Sequence, residues 1–174
     1  MARRKASPKK FQPVGICPEA RALARFFPEG RGKFVGWIDP VLFGLDAPEV
    51  TEEGEIECKW IMDGLFCVIT TDENIYASAK KIYRILTYSI LGWDAQVREY
   101  RMLSAENLGV MHRFKGSLKG NRLVLVDETM IKGKRTGVRF TFIRKGPKTI
   151  VWIVELSVRG GPWKLSAEDI VTYS

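Results

Sequence analysis

From about residue 50 to its end the chain is one short β-prone segment after another, with almost no apolar pattern at helical spacing to interrupt them. Such a succession leaves unpaired edges unless the sheet closes on itself, which points to a closed or nearly closed antiparallel barrel. The hollow of that barrel is then the place to look for function.

The sharpest local signal lies at 56–70. Ile56, Cys58, Trp60 and Met62 precede Asp63-Gly64, and Leu65, Cys67 and Ile69 follow it. Asp-Gly between two β-prone runs suits a type I′ hairpin turn, whose two central residues both take positive φ. Pairing Met62 with Leu65 sets Trp60 opposite Cys67 and Cys58 opposite Ile69, one apolar face. Glu55, Glu57 and Lys59 fall on the other face, because strand side chains alternate. The apolar face is expected to look inward.

The same reading yields ten strands in succession: 32–38, 56–62, 65–70, 82–91, 97–103, 109–118, 122–128, 137–144, 149–157 and 163–173. Turn residues such as Gly92-Trp93-Asp94, Gly120-Asn121 and Gly146-Pro147 separate them. Before the first strand, 18–27 begins with Pro18 and carries an Ala, Leu and Arg pattern, which predicts a short N-terminal helix flanking or plugging one end. The stretch 39–51, with two prolines and Gly44, reads as a loop over the barrel mouth. The expected fold class is all-β, an up-and-down antiparallel barrel of about ten strands with one short helix.

A chain of 174 residues fits a single domain over 15–174, preceded by a disordered basic tail over 1–14. The net charge of +8 is concentrated in that tail: residues 1–12 hold five Lys and Arg and no acid, leaving 23 basic against 20 acidic residues in the rest. A second basic stretch, from Lys132 to Lys148, sits largely at turns and lacks interleaved aromatics, so it reads as a solvated rim and no nucleic-acid partner is expected. Cys17, Cys58 and Cys67 fit neither a disulfide framework nor metal-ligand spacing, so Cys58 and Cys67 read as small core hydrophobes in a reducing compartment. No signal-type stretch opens the chain and no run approaches the ~20 residues of a membrane helix. The expectation is a cytoplasmic protein with no membrane partner.

The order of several residues resembles a known family. Pro18-Glu19, Gly32-x-Phe34-x-Gly36, Trp60, Gly64, Phe66, Gly92-Trp93-Asp94, Tyr100, Gly109, Gly116, Arg139, Glu155, Glu168 and Tyr173 are similar in spacing to the bacterial DUF1579 proteins. Those barrels belong to the calycin group, with lipocalins and fatty-acid-binding proteins. The resemblance spans 18–174 and implies a calycin-like barrel around an internal cavity, with no agreed activity.

Candidate chemistry is sparse. His112 is the single histidine and shares a strand face with Val110 and Phe114. Nitrobindin-type haem barrels take an axial histidine from a late strand, and this chain has none after 112, so no haem, other cofactor or metal is expected. Glu155 and Glu168 stand among apolar neighbours, where Arg139 would hold a carboxyl as acid, base or anion clamp or simply close a salt bridge. Tyr100 shares a face with Met102 and joins His112, Arg139, Glu155 and Glu168 as a candidate catalytic group. Trp60, Cys67, Tyr88, Phe114, Phe140 and Trp152 are the candidate ligand-binding residues, since aromatics supply apolar area with few polar handles.

Two functions follow. One is a binding protein that encloses an apolar or amphipathic small molecule. The other is a cofactor-free cyclase or isomerase, of the Diels-Alder type, that orders a flexible substrate in the same cavity. No nucleophile elbow, phosphate loop or dinucleotide fingerprint supports hydrolysis, phosphoryl transfer or redox work. Phe43, Leu45 and Trp163 would suit either a lid or a homodimer contact.

Overall fold

The computed structural model describes residues 15–43 and 47–174, without the side chains of Leu42 and Phe43. The tail over 1–14, the Phe43 side chain and Leu45 therefore lie outside the described residues.

The chain forms helix α1 (Pro18–Phe26), strand β1 (Gly30–Ile38), a single turn α2 (Pro40–Phe43) and nine further strands. These are β2 (Val50–Ile61), β3 (Phe66–Ala77), β4 (Lys80–Asp94), β5 (Glu99–Glu106), β6 (Met111–Lys119), β7 (Arg122–Ile131), β8 (Lys134–Arg144), β9 (Thr149–Val158) and β10 (Lys164–Tyr173). Each strand pairs antiparallel with its sequence neighbours and β1 pairs with β10, so ten strands close an up-and-down barrel. Closure leaves no strand with a free edge along its whole length.

The β2–β3 hairpin has the register its sequence dictates: Trp60 opposite Cys67 and Cys58 opposite Ile69. Its turn differs. The left-handed pair is Met62 and Asp63 (φ 50° and 56°), with Gly64 a third left-handed residue at 83°, and the Gly64 amide donates to the Ile61 carbonyl at 3.1 Å. The tight turn thus sits one residue earlier than Asp63-Gly64, and the strands pair only up to Ile61 and Phe66.

α1 plugs one end. Cys17 caps it, its Sγ accepting from the Ala20 amide, and Pro18 occupies the first turn, where its missing N–H costs nothing. Ala20, Leu23 and Phe26 face the barrel, and Phe27 follows them into the core. Three barrel side chains hold the plug by its carbonyls: Tyr100 Oη on Glu19, Trp60 Nε1 on Phe27 and Arg144 Nη1 on Phe26. Beneath it lies a continuous core that includes Cys58, Cys67, Leu91, Phe114, Leu123 and Tyr173.

Closure is uneven along one seam. β6 and β7 pair only from Lys115–Val126 to Lys119–Arg122, whereas β5 pairs with β6 back to Met111 and β7 pairs with β8 out to Ile131. The wall therefore parts between 111–114 and 127–131, at the end away from α1.

Candidate functional site

The inward positions of all ten strands converge on a cavity of about 420 Å³. Its inner end is aromatic and aliphatic: Phe27, Met102, Phe140, Phe142, Trp152 and Val154 line it. Phe142 stacks on Trp152 with centroids 5.4 Å apart, and Phe140 meets Trp152 edge-on at 5.2 Å. These contacts fix the rings as a rigid apolar wall. The cavity reaches the outside through Leu108, Val110, Thr129, Met130, Ile131 and Lys132, residues that border the β6–β7 gap and the loops beside it.

The adjoining wall, from β10 through β1 and β2 to β3, is acidic, and Asp169 stands directly beside Trp152 in the ladder. Glu52, Glu73 and Asp169 face the cavity from β2, β3 and β10, with 7%, 8% and 2% of their surface exposed. Gly36 on β1 lies directly between Asp169 and Glu52 in the ladder. A β-carbon there would fall 2.0 Å from Asp169 Oδ1, so only glycine leaves the carboxyl its place. Burial drives the Glu52 carboxyl far above the usual range and the adjacent Asp169 adds to the rise, while Asp169, also raised by burial, is partly relieved by accepting from Glu52. Burial likewise pushes Glu73 up to about 7, against the lowering effect of the Thr71 hydroxyl that donates to it at 2.5 Å. Asp169 Oδ1 is buried without a hydrogen-bond partner, and so is Trp152 Nε1.

Near the gap, His112 Nδ1 lies 3.0 Å from Asp127 Oδ2, and its Nε2 lies 3.9 Å from Glu106. His112 and Glu106 both line the cavity, and burial raises the Glu106 carboxyl while His112 opposes the rise. Ser89 and Ser104, hydrogen-bonded at 2.9 Å, complete the polar lining on that side.

Of the residues singled out in the sequence, His112, Phe140 and Trp152 line this cavity together. Phe114 stands just behind the lining, stacked on Phe140 at 4.3 Å. Trp60, Cys67 and Tyr100 lie deeper, in the core under α1, where Trp60 and Tyr100 hold the helix. Tyr88 is on the outer surface, 53% exposed, beside a depression it shares with Arg31 and Asp72.

Arg139 and Glu155 do pair, through two hydrogen bonds of which Nε to Oε2 is 2.7 Å, but on the outside of the barrel. Their strand neighbours Val138, Phe140, Val154 and Leu156 take the inward positions, and Arg139 lies under the Trp163 ring at 4.5 Å. Glu168 is on the outer face as well, one residue from the inward Asp169. The acids that do face the cavity were legible only through Gly36, a glycine inside a strand, which signals close approach by a neighbour. Among the described residues no group of three or more His, Cys, Asp or Glu is placed to hold a metal ion.

The barrel is calycin-like, and solved structures share its fold. Rv2717c from M. tuberculosis superposes with a TM-score of 0.62 at 13% identity, over 91% of this chain and 98% of that one. The S-type phycobiliprotein lyase CPES from Guillardia theta superposes at 0.50 and 10% identity, over 84% and 88%. EF1p2_mFAP2b bound to DFHBI reaches 0.48 at 9%, over 90% and 99%. No family model matches the chain, and no curated protein matches its sequence, so the likeness is one of fold alone.

Proposed function

We propose that this barrel binds an apolar or amphipathic small molecule in its central cavity. The observation that carries the reading is the cavity itself: about 420 Å³, lined mainly by rigid apolar side chains with a few polar groups, sealed by α1 at one end and open beside the β6–β7 gap. A sealed core of the same residues would pack its interior solid. The unpartnered Trp152 Nε1 supports an amphipathic guest, because a buried donor gains most from an acceptor that a ligand brings.

Native mass spectrometry of the protein isolated from cells that make it tests this. A small-molecule adduct is expected on the wild type and absent from a folded Thr87→Trp variant, in which the indole occupies the space Thr87 borders. Identical, unliganded spectra for both would overturn the reading.

The cofactor-free cyclase or isomerase reading has one observation in its favour, the His112–Asp127 pair beside Glu106 at the cavity wall. Asp127 orients the imidazole, and Nε2 is left to exchange a proton with a bound substrate. That reading requires His112→Gln to retain ligand binding while product formation stops.

A further inference from the structure

Resting on the binding reading above, we infer that the guest is an organic cation, an alkyl or aryl amine whose ammonium sits on Glu52, Glu73 and Asp169 while its apolar body lies against Phe140, Phe142 and Trp152.

The chain as a whole is basic, yet its cavity is not. Four carboxyls line it, and the basic groups among the lining residues are His112, already engaged with Asp127, and Lys132 at the mouth. Among the described residues none of Glu52, Glu73 and Asp169 forms a salt bridge. Burying carboxyls without counter-charge is costly, and apolar residues at these inward positions would stabilise the barrel. The three run diagonally across adjacent strands, Asp169 beside Gly36, Gly36 beside Glu52, and Glu73 beside Gly54 one step along. Gly36 makes room for the Asp169 carboxyl, whose Oδ1 lies 2.0 Å from where a β-carbon would stand, and Gly54 makes room for the Phe34 ring at 2.5 Å.

Asp169 Oδ1 is the second observation. That oxygen is buried and without a hydrogen-bond partner, while the carboxyl it belongs to accepts from Glu52. An ammonium brings three donors and one positive charge, which serve that oxygen and its neighbours at once. The spread of the three carboxyls along the wall suits a group of that size better than a bare metal ion, for which no ligand cluster is formed. A carboxylate-bearing guest would meet repulsion, and a neutral alcohol would leave the acids uncompensated.

Among the described residues the ionisable groups that line this cavity or stand directly behind its lining are Glu52 on β2, Glu73 on β3 with Asp72 behind it, Asp169 on β10 with Glu168 behind it, Glu106 on β5, His112 on β6, Asp127 on β7 and Lys132 at the mouth between β7 and β8. An entering ammonium favours the ionised carboxyls and therefore expels protons. Its binding strengthens as pH rises through the titration of Glu73, at about 7.

Calorimetric titration of the full chain with decylamine, decanol and decanoate decides the matter. At about pH 8 decylamine is expected to bind at least about tenfold tighter than decanol, and decanoate more weakly than either. Toward about pH 5.5 the decylamine affinity falls while that of decanol holds, since the amine itself stays protonated throughout. The decylamine enthalpy also varies with the ionisation heat of the buffer, as proton release requires. Glu73→Gln and Asp169→Asn each remove most of the preference and leave decanol binding unchanged; circular dichroism verifies folding, and Glu73→Gln alone carries the test where Asp169→Asn fails to fold. Decanol or decanoate binding as tightly as decylamine, or a variant losing decanol along with decylamine, overturns the amine inference and leaves the binding reading standing. Silence from all three overturns both.

Discussion

Glu73 shows how one buried carboxyl ties the stability of the fold to pH. Its pKa is raised from 4.5 to about 7 by burial, so below pH 4.5 it is protonated folded or unfolded and carries no penalty. As pH rises from there to about 7, the unfolded chain gives up a proton that the folded chain keeps, and stability falls by about 3 kcal/mol. Glu73→Gln keeps an acceptor for the Thr71 hydroxyl and removes the ionisation. Its stability in denaturant titrations is expected to match the wild type near pH 4 and exceed it by about 3 kcal/mol at pH 8; a gap that does not change with pH would contradict this. Tyr100 is the converse case. Its hydroxyl donates to the Glu19 carbonyl at 3.0 Å, so Tyr100→Phe is expected to cost about 1 kcal/mol and leave decanol affinity unaltered. Loss of binding with stability intact would return Tyr100 to the cavity. Residues like these also show where the sequence misleads. Arg139 and Glu155 each stand between apolar neighbours in the chain, but in a strand those neighbours point the other way, and the pair is on the outside. Glu168 and Asp169 are adjacent acids, and the choice between them depends on a bulge between Leu165 and Ala167 that no residue pattern announces.

Among the elements, α1 and the β6–β7 seam set the two ends of the cavity apart. α1 was legible from Pro18 and its Ala, Leu and Arg spacing, and the hairpin register from the alternation on either side of Asp63-Gly64. The seam was not, because unpairing is a property of two strands diverging, and both β6 and β7 keep ordinary strand patterns of their own. Phe27 lies 5.4 Å from Phe142 at the junction of plug and cavity. Phe27→Ala is expected to destabilise the fold by about 3–5 kcal/mol and to loosen the closed end. A loss under about 1 kcal/mol would show that the helix is not part of the core. At the seam, backbone amides of 111–114 and 127–131 that face the gap lack ladder partners and should exchange with solvent faster than those between β3 and β4. Equal protection at both places would mean the wall is shut in solution.

As a whole, the molecule separates two requirements that a barrel ordinarily meets with one set of residues. The end under α1 is packed by Leu23, Phe34, Phe114 and Leu125 and supplies the stability, while the rest of the lumen keeps open space lined by adjoining aromatic and acidic walls. Ten strands, their order and the presence of a lumen were legible from alternation and turn residues, since these are local signals repeated ten times. The character of the lumen was not, because Glu52, Glu73 and Asp169 come together only when β10, β1, β2 and β3 are laid side by side. The most direct measurement is nuclear magnetic resonance on methyl-labelled protein titrated with decanol, a probe whose binding does not depend on the acids. Intermolecular Overhauser contacts are expected from the alkyl chain to the methyls of Ile69, Met102 and Val154, which line the cavity, and none to Val35 or Ile170 on the outside. Contacts to the outer methyls alone, or none to the inner ones, would contradict a barrel that admits a guest.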